Sequence, residues 1–133
     1  MLRLSKRVEY GLMALQYLAK SGNVATAREI SDAGHIPYEL LAKVMQSLKH
    51  EGIIDSYQGV RGGYAMLVAP AQINLARVMK ALDEEATVTE CISPGSVHEQ
   101  CTLYANCTIK EPMQKLQTRM EESFGKMTIA ELL

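Results

Sequence analysis

From Leu4 to Lys20 the apolar residues Val8, Leu12, Leu15 and Leu18 recur at steps of three and four, the period of one helix face. Ser21-Gly22-Asn23 ends that run. A second helix is expected to open at Thr26-Ala27-Arg28-Glu29, a spacing in which each terminal side chain can cap the other residue's backbone N–H. It should close near Ala33-Gly34 after barely two turns. Ile36-Pro37 restarts the chain, and Pro37 to Glu51 carries Leu40/Leu41, Val44/Met45 and Leu48 on one face, with Gly52 as the stop. Two short strands follow, Ile53-Ile54-Asp55-Ser56-Tyr57 and Tyr64-Ala65-Met66-Leu67-Val68. The glycine-rich tip Gln58-Gly59-Val60-Arg61-Gly62-Gly63 lies between them.

Beyond Pro70 the pattern weakens. Asn74 can cap a short helix bearing Leu75, Val78, Met79 and Leu82, but residues 83–107 have poor periodicity, with Ser93-Pro94-Gly95-Ser96 at their middle. A stretch of that kind inside a compact chain is usually functional or disordered. Thr108-Ile109-Lys110-Glu111 repeats the capping spacing, although Pro112 is expected to cost one backbone bond. Ile109, Met113, Leu116, Met120 and Met127, with Ser123 in phase, then alternate steps of four and three, a seam suited to a partner helix. Thr128-Ile129-Ala130-Glu131 offers a third cap for a short final helix.

A longer helix followed by two shorter ones across a tight glycine-containing turn is the helix-turn-helix pattern, and a hairpin directly after it is a wing. The expected fold is therefore mainly α with a small β-hairpin wing: a winged helix-turn-helix plus a long C-terminal dimerisation helix. The chain divides into 1–70 (DNA-binding), 71–107 (connecting helix and cysteine-bearing loop) and 108–133 (dimerisation helix and short terminal helix).

The hydrophobic fraction of 47% is ample for one packed core in 133 residues. No signal peptide and no run approaching a membrane span is visible, so a cytoplasmic protein with no membrane partner is expected. Net charge is −1, which argues against a generic polyanion binder. Its distribution matters more: residues 1–70 carry eight Lys/Arg against six Asp/Glu, residues 71–133 six against nine. No nucleophile–base pair stands out, and Gly59–Gly63 lacks the strand–loop–helix context of a nucleotide site, so no enzyme is expected. Cys91, Cys101 and Cys107 fall within 17 residues, a cluster that suits metal or redox chemistry more than structural disulfides.

The ordered segments Thr26-Ala27-Arg28-Glu29-Ile30, Ile36-Pro37, Leu41-Ala42-Lys43-Val44-Met45 and Gly59-Val60-Arg61-Gly62-Gly63-Tyr64 resemble the Rrf-two family. So do Ile73-Asn74-Leu75-Ala76-Arg77-Val78 and Thr128-Ile129-Ala130-Glu131-Leu132. These are winged helix-turn-helix transcriptional regulators, the bacterial group containing IscR, NsrR and CymR, and the similarity spans essentially the whole chain. The resemblance implies a homodimer with crossing penultimate helices, one winged head per subunit on palindromic double-stranded DNA, and repression more than activation. For the cluster-binding branch it also implies three cysteines before the dimer helix. Cys101-x5-Cys107 matches that spacing, while the gap from Cys91 is longer.

The helix from Pro37 should enter the major groove, where side-chain hydrogen bonds distinguish base pairs. Its outward residues are Tyr38, Glu39, Ala42, Lys43 and Gln46. Glu39 can accept from a cytosine amino group, and Lys43 can reach guanine or phosphate. Arg61 is the minor-groove candidate; Gln58 stands where some relatives place that arginine, and Gly62 completes the wing tip. Ser5, Lys6 and Arg28 are candidate DNA contacts of lower specificity. The ordinary alternative for each is a solvated surface residue.

Thiolates suit an iron–sulfur cluster, two-iron two-sulfur or four-iron four-sulfur, and three of them leave one iron position for another ligand. Glu9 from the other subunit and His98 are the candidates, with His35 a weaker third. A metal-free switch pairing Cys101 with Cys107, an iron–sulfur redox carrier, and a regulator acting chiefly through another protein are the alternatives.

Overall fold

A computed structural model describes residues 3–89 and 104–133 of the chain. Helix α1 spans Lys6–Ser21. Ser5 precedes it in extended backbone and its hydroxyl accepts the Val8 N–H, while Gly22, at φ 65°, ends the helix by donating to the Leu18 carbonyl. The expected capping box is present at α2 (Ala27–Gly34): Thr26 N–H donates to the Glu29 carboxylate at 2.7 Å, and Glu29 N–H donates to the Thr26 hydroxyl at 3.1 Å. His35 closes α2 in the left-handed region, and the Ser31 hydroxyl donates to the Ile36 carbonyl at 2.6 Å, pinning the turn into α3 (Tyr38–His50).

Leu41, Val44, Met45 and Leu48 of α3 are buried, but Leu40 is 45% exposed. At 100° per residue Leu40 falls to the side of the apolar arc, so its expected place on the core face is corrected. Strands β1 (Ile54–Tyr57) and β2 (Gly63–Met66) pair antiparallel, with Ile54 opposite Met66 and Tyr57 opposite Gly63. Ala25 bridges to Tyr64 through two backbone bonds of 2.9 and 2.7 Å, so the residue leading into α2 extends the hairpin edge and ties the wing to the helix pair.

Helix α4 (Leu75–Ala81) is capped by Asn74, whose side chain accepts the Arg77 N–H at 2.8 Å. Helix α5 (Lys110–Lys126) starts without the expected Thr108 cap. Ile109 holds the N-cap position and no side chain caps it. Pro112 is the third helical residue, where an N–H would have no intrahelical partner, so the expected loss of a backbone bond does not arise.

One apolar core runs from Val8, Leu15 and Leu18 through Ile30, Ile53, Ile73 and Leu82 to Ile129. The chain end reaches this core because Leu75 N–H donates to the Met127 carbonyl and Ile129 N–H to the Ile73 carbonyl, both at 2.8 Å. The 3-10 turn Ile129–Leu132 is held by the Glu131 carboxylate, which accepts the Thr128 N–H. Full burial of Ile129 contributes about 1.5–3 kcal/mol. Along α5 only Gln117 is buried, and Ile109, Leu116 and Met127 remain 54%, 48% and 38% exposed. No helix among the described residues is long and apolar enough to cross a membrane.

Candidate nucleic-acid interface and cysteine-bearing segment

The outward stripe of α3 follows from the same rotation that buries its opposite face. Glu39, Lys43, Gln46 and His50 stand four, three and four residues apart and all are exposed. The last three, with Ser47, line one wall of an open groove of about 580 Å3 whose far wall includes Ala81 and Asp83. Ala42 is half-buried at the edge of the stripe. Tyr38 lies on one flank, 40% exposed, with the Arg28 guanidinium of α2 stacked 3.9 Å from its ring centre. Leu40 and Ser47 lie on the other, where the Arg7 guanidinium reaches the Ser47 hydroxyl at 3.5 Å. Sequence reading missed Arg7, Leu40 and His50. Periodicity marks Arg7 and His50 as surface positions but carries no sign of what faces them, and it counted the apolar Leu40 with the core face.

At the wing tip Gln58, Arg61 and Val60 are exposed, Val60 fully so. Gly62 and Gly63 have steric reasons: a Cβ at Gly62 would lie 2.5 Å from the Tyr57 carbonyl oxygen, and one at Gly63 2.5 Å from that of Ala25. Gly59 and Gly63 adopt positive φ but Gly62 does not, so Gly62 is required by the close approach of backbone alone.

Ser5 is half-buried and occupied with α1: its hydroxyl caps the helix and its N–H donates to the Glu84 carboxylate at 3.2 Å. Lys6 and Glu9 form an exposed ion pair at 2.8 Å. The Glu9 carboxylate raises the Lys6 pKa above the usual lysine value, by hydrogen bonding first and charge attraction second.

Of the candidate metal ligands, Cys91, His98 and Cys101 lie outside the described residues. Cys107 is a free, half-buried thiol three residues before α5, Glu9 is engaged with Lys6, and His35 is exposed at the end of α2. Among the described residues no three His, Cys, Asp or Glu side chains come together as a metal site. The segment leading toward Cys91 is held firmly. Gln117 accepts the Val88 N–H at 2.9 Å and donates to the Ala86 carbonyl at 2.7 Å and to Glu121 at 2.8 Å. Beside this clamp is a cleft of about 630 Å3 lined by Met79, Lys80, Glu84, Glu121 and Phe124 among others.

Three core-packed helices, a pinned turn between the second and third, and a hairpin tied back to the helix pair define the winged helix-turn-helix class. A family model described as "Rrf2: Iron-dependent Transcriptional regulator" matches residues 4–133. The chain belongs to the Rrf2 family. It is 26% identical over 136 residues to the HTH-type transcriptional regulator NsrR of Halalkalibacterium halodurans, covering 99% of this chain and 90% of that protein. Among solved structures it resembles CymR, the global cysteine regulator of B. subtilis, with TM-score 0.76 and 19% identity over 99% of this chain and 96% of CymR. IscR of T. potens aligns with TM-score 0.70 and 17% identity, covering 98% of this chain and 85% of that one. The chain is a transcriptional regulator and not an enzyme.

Proposed function

We propose that this chain is a homodimeric, cytoplasmic repressor that reads a palindromic operator with α3 and the wing and responds to redox, iron–sulfur or nitric oxide status. The observation that carries the DNA-reading part is the exposed Glu39–Lys43–Gln46–His50 stripe, backed by a buried apolar face, on a helix pair whose first helix is joined to the wing through Ala25 and Tyr64. Gln58, Arg61 and Gly62 form the minor-groove tip, while Lys6, with the capping Ser5 beside it, meets backbone phosphate at the start of α1. The exposed Leu116 of α5, with Ile109 and Met127 at its two ends, supplies the apolar surface for the second subunit.

Three thiols in one segment suit an iron–sulfur cluster, and Cys107 is unbridged, as a ligand cysteine requires. Cys91, Cys101 and Cys107 would hold it, with Glu9 of the second subunit or His98 as the fourth ligand. When bound, the group supplies a metal centre sensitive to oxidants and small ligands. The protein's own contribution is a strap at residues 83–88 that is tied to the start of α1 and to α5 and faces α3 across a groove. Asp83 borders the groove beside α3, Glu84 accepts from Ser5 at the start of α1, and Ala86 and Val88 are clamped by Gln117 of α5. A displacement of the strap would thereby be felt at the dimer helix and at α1, which packs against the reading helix. A differential of ~1–3 kcal/mol between two strap positions is enough for a useful response.

Anaerobic purification with iron, sulfide and visible-absorption measurement tests the reading, together with binding to the duplex upstream of its own gene. Coloured protein that loses absorption in Cys101→Ala and Cys107→Ala is expected. A colourless protein whose DNA affinity still responds reversibly to a thiol oxidant would replace the cluster with a Cys101–Cys107 thiol pair. A monomer indifferent to every duplex would end the proposal.

A further inference from the structure

Arg28 and Arg7 come from different helices, yet each guanidinium rests on a side chain of α3, and the two rest on opposite edges of it. Arg28 lies over the Tyr38 ring, and Arg7 reaches the Ser47 hydroxyl. Between those edges runs the stripe of Glu39, Lys43, Gln46 and His50. A helix with its side chains is about 10–12 Å across and the major groove about 12 Å wide. A helix seated in that groove therefore has its two edges against the two sugar–phosphate walls.

We propose that Arg28 and Arg7 are paired phosphate clamps, one for each wall of the groove, parked on Tyr38 and Ser47 so that they fix the register of α3. The inference rests on the DNA-reading proposal above. A guanidinium held over a ring keeps its charge and has N–H donors to spare for a phosphate, and the Arg7 guanidinium spends one nitrogen on Ser47 and has others left. Among the described residues neither arginine has a carboxylate within ion-pair distance, since the one ion pair there is Lys6–Glu9. Glu29, the neighbour of Arg28, is committed to the Thr26 cap. The clamps also have a reason to exist: Glu39 opens the stripe with a negative charge, which a phosphate repels. Fixed cations at both edges hold the backbone aside and leave that carboxylate over base edges. Arg28 and Arg7 are positioning residues, because they touch phosphate and carry no sequence information themselves.

The test is binding of the full-length protein to two 30-base-pair duplexes, one from upstream of its own gene and one unrelated, over a range of KCl concentrations. Each phosphate contact contributes about 0.9 to the slope of log affinity against log salt. Arg28→Ala and Arg7→Ala should each lower the slope magnitude by about 2 in a dimer, on both duplexes, and weaken binding roughly 10- to 50-fold near 0.15 M salt. Tyr38→Phe should keep the wild-type slope. Tyr38→Ala, which removes the platform and leaves the charge, should weaken binding several-fold. Both arginines are exposed, so circular dichroism and the denaturant midpoint should match wild type. Wild-type slopes in both arginine variants would overturn the clamps while leaving DNA reading intact. A wild-type protein without salt-dependent binding would overturn both.

Discussion

Substituting Gly63 by alanine tests how strongly the wing depends on its tie to α2. At φ 147° an L residue is strained, and the new Cβ would stand 2.5 Å from the Ala25 oxygen, 2.6 Å from its carbonyl carbon and 2.9 Å from the Thr26 nitrogen. All three are backbone atoms that no side-chain rotation can move. The backbone conformation costs about 1–3 kcal/mol. Separating Ala25 from Tyr64 breaks two hydrogen bonds of about 1 kcal/mol each. A loss of about 3–5 kcal/mol is expected, a large share of the ~5–15 kcal/mol that holds a domain together. Gly59 supplies the control: its φ is 114° but a Cβ there meets nothing within 4 Å, so Gly59→Ala should show the conformational cost alone. Urea unfolding, with the midpoint read at constant slope, measures both. Equal losses at the two positions would refute the reasoning, because the close approach to Ala25 would then contribute nothing.

Thr26→Ala removes one arm of the reciprocal cap on α2 and should cost about 1 kcal/mol in urea unfolding, with no change in helix content beyond α2. Gln117→Leu deprives the half-buried Val88 N–H and Ala86 carbonyl of their partner, at about 1 kcal/mol for each lost hydrogen bond. Faster amide hydrogen exchange across residues 84–88 than in α3 should report it. Leu116→Glu puts a charge on the exposed apolar face of α5 and should shift the protein toward monomer in sedimentation velocity, with the urea midpoint of the monomer little changed. Ile129→Ala should cost about 2–5 kcal/mol in spite of its place four residues from the chain end, since it is 1% exposed.

Most of the architecture was legible in the amino-acid order because it rests on interactions spanning three or four residues. The Thr26–Glu29 and Thr128–Glu131 caps, the Asn74 cap, the alternation that buries Leu41, Val44, Met45 and Leu48, and the wing-tip glycines Gly59 and Gly62 are all settled by near neighbours in the chain. The same reasoning failed where local chemistry was ambiguous. Thr108 has the capping spacing but no cap, and Leu40 is apolar but lies outside the arc that the neighbouring helices cover. Only tertiary packing decided which distant groups meet: Arg7 with Ser47, Arg28 with Tyr38, Gln117 with Ala86 and Val88, and Ile129 with Ile73. Hydrophobic periodicity specifies which face of a helix turns inward, but it carries no term for the identity of the neighbour, and contacts ten to a hundred residues apart depend on how whole elements stack.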